Sequence, residues 1–489
     1  MLKIEEIKTF IDNDAASEKK KLARMGVDYY EGKHDIRNYR IFFVDADGNV
    51  KEDKTKSNIK IAHPFFRILA DQEAQYILSG EEGIFRSDVP ELQAELDDYF
   101  NNNDDFMSEL YDVILGSIVK GADYFYAYKN EEGKTAFQCA DGIGIVEVRA
   151  KETDDGCEYV IFWYVDRISK DNKTIKRIQV WNDKETHFFV QVEDGKIEPD
   201  TSVELNPRPH VIYKKDGDDS TYYEDYGMIP FFRLDNNKKQ QSGLLLIKDQ
   251  IDSYDLMNCG LANNIQDTNE ALYVVKGFQG DNLDELMLNV KAKKHIGVDE
   301  DGGVEIKTID IPYEARKAKM DIDEKNIFRF GFGVNTESLK DTSATVSVAI
   351  KSAYANLDLK CNGFNKGLKK FLRKILKVVL AEINTTNGTD YRTEDVYFNL
   401  ERTIITNAQE NAQIKLIEAQ EQQTRVTTIL NTAAQFGNEL TMQNLCEAFE
   451  LDYDELKDKF PKPEEDELNK AQSALDGIVT EEPETIEIP

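Results

Sequence analysis

Positive charge is scarce in this chain: 61 Lys and Arg stand against 93 Asp and Glu, a formal net charge of -32 over 489 residues. A surface that wraps the DNA backbone needs clustered Lys and Arg to displace counterions, so that class of binding is excluded, and any meeting with DNA happens without a grip. The five cysteines, Cys139, Cys157, Cys259, Cys361 and Cys446, lie far apart and form no CxxC pair. Neither a zinc site nor a disulfide framework is indicated, and reduced thiols in a cytoplasm fit best. Long apolar runs are absent as well. The start, MLKIEEIKTFIDND, is acidic and lacks an apolar block, so no signal peptide is expected, and no later stretch is long enough to span a bilayer. The expectation is a protein made soluble in the cytosol.

Signatures of chemistry are missing too. There is no GxxxxGK[ST] loop, no HExxH and no GxSxG elbow. The glycines of GFGVN, Gly331 and Gly333, follow a helical pattern rather than a strand, which is the wrong context for a dinucleotide. His34, His63, His187, His210 and His295 are scattered, none three or four residues from another, so they read as surface or packing residues rather than a metal pair on a helix. Acidic runs at 101–105, 216–219 and 299–301 are what a chain with 93 acidic residues contains by composition. A two-metal nuclease site assembled from distant acids is the enzymatic alternative that survives. The reading is a non-enzyme with no catalytic residue, cofactor or bound metal.

What is present is a sequence of textures. Residues 3–25 read as a charged amphipathic helix followed by a turn at Tyr29, Tyr30 and Gly32; Pro64 to Leu78 and Glu91 to Lys120 are apolar-periodic, the latter with Leu92, Leu96, Phe100, Leu110, Ile114 and Ile118 on one stripe. From Ala122 aromatics alternate with polar residues, and turns at Glu132-Gly133, Asp155-Gly156 and Asp194-Gly195 predict an antiparallel meander within 122–235. After the polar break NNKKQQSG, apolar positions at Ile247, Ile251, Tyr254, Leu261, Ile265 and Leu272 predict one helix from Ser242 to Tyr273, roughly 45 Å long at 1.5 Å per residue. A helix of that length needs company along its whole side, with Gly260 as a tolerable weak point. A mixed insert runs from Val274 to Ile311, its two strand-like ends able to pair around Asp301-Gly302-Gly303. Pro312 opens a returning helix that Gly331 and Gly333 terminate. A polar loop follows, then a helical pattern from Val346 to about Ile383 with Gly363 and Gly367 as kink points, a strand in EDVYFNLERTII, glutamine-rich helices over 408–436 and 442–460, and an acidic, proline-bearing tail that reads as solvated and disordered.

This order resembles the portal proteins of tailed bacteriophages, in the form found in phages of Gram-positive bacteria. The resemblance is carried by DYYEGKHDI at 28–36, NIKIAHPFFRILADQEAQYILSG at 58–80 and MIPFFRLDNNKKQQSGLLLIKDQIDSYDLMNCGLANNIQDTNEALYVVKG at 228–277. EKNIFRFGFGVNTESL and VYFNLERTIITNAQENAQ follow in the family's order and spacing, so that it covers most of the chain from Asp28 to about Phe436.

The resemblance implies an α+β, mainly α fold: a portal fold with a β-rich wing, a two-helix stem, a small α/β clip, a kinked channel helix and a helical crown. Residues 1–121 would be the N-terminal helical part of the wing, 122–241 its β-rich part, 242–273 the first stem helix, 274–311 the clip and 312–333 the returning stem helix. Residues 334–345 would be the tunnel loop, 346–407 the kinked helix with a wing strand, 408–460 the crown and 461–489 an acidic flexible tail. The implied channel residues are Asn335, Thr336, Glu337, Ser338, Leu339, Lys340, Asp341 and Thr342, in a loop less glycine-rich than the family pattern. The stem would pack through Ile247, Ile251, Tyr254, Leu261 and Ile265, and the clip would dock partners through Lys291, Lys293, Lys294, His295, Asp299, Glu300 and Asp301. The implied assembly is a homododecameric ring at the capsid portal vertex of the virion, through which double-stranded DNA is packaged and ejected. Its implied partners are the terminase large subunit, a head-completion adaptor, and the major capsid and scaffolding proteins, with no membrane. An acidic channel wall repels the DNA backbone and leaves translocation to an external motor. The alternatives are the metal-dependent DNA-processing enzyme above, or another ring adaptor of the virion, which would lack a clip between two stem helices.

Overall fold

The computed structural model describes residues 1–45, 47–54, 56–80, 82–130, 132–149, 156–168, 173–214, 221–267, 272–278, 298–307, 312–335, 347–403, 408–449, 453 and 457. One compact unit comprises Met1–Thr342 with Lys351–Ile404, and a second comprises Ser343–Ile350 with Ile405–Pro489.

The first unit is organised by helices whose ends are written into their sequences. The predicted single N-terminal helix is two, α1 (Ile4–Ala16) and α2 (Glu18–Tyr30), because the Ser17 hydroxyl between them accepts from the Lys20 amide and caps a new start. After α3 (Phe65–Ile77) and the short α4 (Pro90–Leu96), a five-residue π-helical turn at Asp97–Asn101 leads to α5 (Asp104–Lys120). Asn103 caps α5 by accepting from the Phe106 amide at 3.0 Å, and Gly121 ends it in the left-handed region. Leu92, Leu96, Phe100, Leu110, Ile114 and Ile118 are all buried, as their shared stripe predicts.

The β-rich part comprises two principal sheets. Strands β4 (Ala122–Lys129), β5 (Thr135–Ala140) and β14 (Phe231–Asp235) form one, in the order β14-β4-β5. Strands β6 (Ile145–Val148), β7 (Tyr159–Ile168), β8 (Thr174–Trp181), β9 (Glu185–Val192) and β10 (Ile197–Pro199) form the predicted antiparallel meander, with β11 (Arg208–Pro209) added beside β9. Helix α1 lays Ile7 and Ile11 on this meander, against Val146, Ile161, Ile178 and Phe189. Two-stranded ribbons complete the set: β1 (Phe42–Val44) with β2 (Val50–Glu52), and β12 (Val211–Lys214) with β13 (Thr221–Glu224).

The main core gathers α3, α5, β4, β5 and β14 around α8 (Ser347–Asn387), which is helical through both Gly363 and Gly367. Leu357, Cys361, Phe364, Leu368, Phe371, Leu372, Ile375, Leu376 and Val379 recur three and four apart and are all buried. The predicted strand in EDVYFNLERTII shrinks to β17 (Tyr397–Phe398), because its partner β3 (Phe85–Arg86) offers two residues and Arg402 turns away to Asp358. In the second unit, α9 (Ala408–Phe436) meets α10 (Asn438–Ala448) at Gly437, whose φ of 78° makes the reversal. The predicted helix over 442–460 therefore starts earlier and is described only to Ala448, and the tail 461–489 lies outside the described residues.

Candidate functional site

The predicted stem corresponds to α6 (Lys248–Asp267) and α7 (Tyr313–Gly331). Helix α6 is shorter than expected at both ends. Gly243–Leu246 is a 3-10 turn, and Leu272 and Tyr273 lie in β15 (Leu272–Phe278). The LYVV at 272–275 favours a strand, which explains why the helix does not reach Tyr273. β15 pairs antiparallel with β16 (Val298–Lys307), so the two ends of the insert do meet. Asp301-Gly302-Gly303 is not the turn between them, since Gly303 stands opposite Lys276 inside the ladder.

α6 and α7 are joined by polar contacts along their length. Asp323, buried on α7, accepts from the Ser253 hydroxyl at 2.9 Å and pairs with Lys319, whose ammonium also donates to Ser253 at 2.7 Å. Arg316 reaches across to the Met257 carbonyl at 3.4 Å, and a Cβ at Gly260 would stand 2.2 Å from its guanidinium. Gly260 is thus the place where an arginine crosses α6, rather than a weak point the helix puts up with.

The other flank of α6 is held by an extended segment of its own chain. The amides of Ser57, Ile59, Ile61 and His63 donate to the side chains of Asp267, Asn263, Cys259 and Asp255, at 3.1, 2.6, 3.2 and 3.0 Å. Every second residue of an extended chain advances about 6.6 Å and every fourth residue of a helix about 6 Å, so the two periods run in step over three intervals. At the head of this ladder Asp255 is fully buried and takes His34 Nδ1 at 2.6 Å on one oxygen and His63 Nδ1 at 2.7 Å on the other. Burial opposes the charge on Asp255, but these hydrogen bonds outweigh it and hold the carboxyl below its ordinary value. Tyr29 stacks on His34 with ring centroids 4.4 Å apart and donates to Asp252. Lys248 joins Asp252 and Asp35, each at 2.6 Å, and those bonds raise its pKa against the pull of burial. The N-terminal part of the chain and α6 are therefore locked together by residues from three separate stretches.

Of the predicted packing residues, Ile247 and Ile251 lie in the core, Tyr254 is half-buried against His63 and Phe65, Leu261 is half-buried, and Ile265 is 52% exposed. Of the predicted docking residues, Asp299, Glu300 and Asp301 lie on β16, while Lys291, Lys293, Lys294 and His295 fall outside the described residues. Of the predicted channel residues only Asn335 is described; it donates to Glu324 of α7 at 3.1 Å, and Thr336, Glu337, Ser338, Leu339, Lys340, Asp341 and Thr342 fall outside. α7 ends on Phe332, in the left-handed region at φ 61°, where a glycine was expected to do the terminating. The cluster around Asp255 was not predicted. Its members are separated by up to 221 positions and carry no motif, and the histidine spacing gave no sign of it. Among the described residues no group of three or more His, Cys, Asp or Glu is placed to hold a metal ion, and no helix is long and apolar enough to cross a membrane.

Comparison with known proteins adds an independent line. Residues 9–436 match the family model described as "Phage portal protein, SPP1 Gp6-like". The portal protein of Bacillus phage SPP1 is 26% identical over 392 residues, covering 79% of this chain and 75% of the relative. The portal protein of Clostridium phage phiCD119 is 25% identical over 435 residues, covering 84% of this chain and 89% of the relative.

Proposed function

The chain belongs to the SPP1 Gp6-like family of phage portal proteins, and on that premise we propose that twelve copies close into a ring at the capsid vertex, around a passage for double-stranded DNA. The observation that carries this reading is the order of parts: a helical hairpin, α6 and α7, carries the β15–β16 ribbon and leads into a polar loop and the long α8, within the span 9–436 that the family model matches. In this reading α6 and α7 form the stem, 274–311 the clip, 334–345 the tunnel loop, the two β-sheets the wing and α9 with α10 the crown. A heterologous contact repeated with the right rotation closes into such a ring. The terminase large subunit would dock at the clip during packaging and a head-completion adaptor later, while capsid and scaffolding proteins would hold the rim. The net charge of -32 suits a wall that DNA slides past, with the motor elsewhere. The test is replacement of Glu337 through Asp341 by a Gly/Ser segment of equal length in virus-producing cells. The expected result is normal rings, seen by negative-stain microscopy of particles, with DNA packaging or retention reduced several-fold; normal DNA content would refute the assignment of the loop, and a protein that fails to fold would mark it as core.

A further inference from the structure

Gly331 and Gly333, on either side of Phe332, give the end of α7 the look of a hinge. Their surroundings say otherwise. A Cβ at Gly333 would stand 2.0 Å from Leu69 Cδ2, and one at Gly331 would stand 2.7 Å from Leu69 Cδ1, so both glycines serve close approach to α3. The Gly333 amide returns to the Phe328 carbonyl at 2.9 Å and closes the helix. Next, Val334 is buried and gives both of its backbone groups to one side chain: its N–H donates to Gln72 Oε1 at 2.8 Å, and Gln72 Nε2 donates to its carbonyl at 3.2 Å. That pairing also determines which way the amide faces, because a flipped amide would set donor against donor and acceptor against acceptor. A side chain that takes both groups of one residue holds its orientation as well as its place, as a neighbouring strand would. From α8, Lys360 bridges Glu73 at 2.7 Å and the Gly331 carbonyl at 3.2 Å.

We propose that Gln72 is the positioning residue of the tunnel loop: it keeps the chain tied to the packed body past Gly331, as far as Val334. This rests on the reading of residues 335–342 as the channel loop. Were residues 332–334 released, the loop would gain three residues, about 10 Å of reach at roughly 3.3 Å per residue. Gln72, on α3, therefore sets where the loop begins and with it how much chain the loop has to reach with.

The experiment compares wild type, Gln72→Ala and Gln72→Glu in assembled rings and in particles. Gln72→Ala removes both bonds; Gln72→Glu keeps the size and the acceptor for the Val334 amide but sets an acceptor against its carbonyl. Hydrogen exchange of the peptide containing Val334 reads the clamp directly. The expected result is exchange at least tenfold faster in Gln72→Ala and intermediate in Gln72→Glu, with packaged DNA per particle falling in the same order while ring size is unchanged. If Gln72→Ala rings fail to assemble, the Gln72→Glu comparison carries the same ranking. Unchanged exchange would overturn the clamp. Faster exchange with normal packaging, when the Gly/Ser loop replacement does block packaging, would overturn the positioning role and leave the loop assignment standing. Normal packaging by the loop replacement would sink the loop assignment, and the positioning role with it, irrespective of Gln72.

Discussion

Removing the carboxylate of Asp255 should be among the most damaging single changes available outside the apolar core. Asp255 is 0% exposed and satisfies three donors: His34 Nδ1, His63 Nδ1 and the His63 amide. His34 is itself fully buried, so no water replaces its lost partner. Deleting the acceptor leaves buried donors unsatisfied, at about 1–3 kcal/mol each. We take about 4 kcal/mol for Asp255→Ala, near a thousandfold in the folded-to-unfolded ratio at 1.4 kcal/mol per factor of ten. Urea unfolding followed by far-UV circular dichroism, on dilute protein before assembly, should show the midpoint falling by about 1 M or more, for a slope of about 3 kcal/mol/M. A shift below about 0.3 M would put the cluster in the class of surface ion pairs and refute the reasoning. The pH dependence carries a definite sign. Because the folded carboxyl lies below its ordinary value of 3.8, its contribution is fully present above that value and is lost as pH falls through the lower folded one. The gap between wild type and Asp255→Asn should therefore narrow under acid, below about pH 4. If His34→Gln added its full cost on top of Asp255→Ala, the two would not be coupled and the network would be misread.

Three further changes separate folding from assembly and probe a second buried ion. Ile251 is fully buried and Ile265 half exposed on the same helix, so Ile251→Asp should cost about 5 kcal/mol or more and give unfolded protein, whereas Ile265→Asp should stay within about 0.5 kcal/mol of wild type yet shift native mass spectra from rings towards monomers. A well-folded Ile251→Asp, or normal rings from Ile265→Asp, would contradict these placements. At Gly116 an added Cβ would lie 1.7 Å from Asp123 Oδ2, the buried carboxylate that pairs with Lys120 at 2.6 Å, so Gly116→Ala should cost about 3 kcal/mol or more by displacing that ion; a melting temperature like that of wild type would show that the site relaxes.

Local periodicity carried much of the architecture. The six-residue stripe from Leu92 to Ile118, the meander with its Asp194-Gly195 turn and the hairpin built on Pro312 were legible because each is written within a few residues of itself. The end of α6 was misplaced because Leu272 continues the apolar spacing of Leu261 and Ile265, although the helix is described only to Asp267 and Leu272 belongs to β15. Helix α7 gave a subtler error. Gly331 and Gly333 looked like terminators, yet Leu69, some 260 positions earlier, is what requires them to be small, and Phe332 makes the turn. The same holds for Asp255 and Gln72. An aspartate and a glutamine at helical positions read as solvated residues until the fold brings a histidine or a buried backbone amide to them.

The extended stretch beside α6 is recognised, apart from the His63 imidazole, by its backbone. Cys259, Asn263 and Asp267 ask for an N–H at positions 61, 59 and 57 and take no account of which side chain comes with it, while Asp255 takes both the N–H and the ring of His63. The stretch therefore works as a code in parity: a change of residue type at 57, 59 or 61 leaves these bonds intact, while the insertion of one residue within the stretch would put the rungs on one side of it out of step. The one letter barred from the odd positions is proline, which has no N–H to offer. Pro64 stands one step past the last rung, at the first place where the ladder no longer needs a donor.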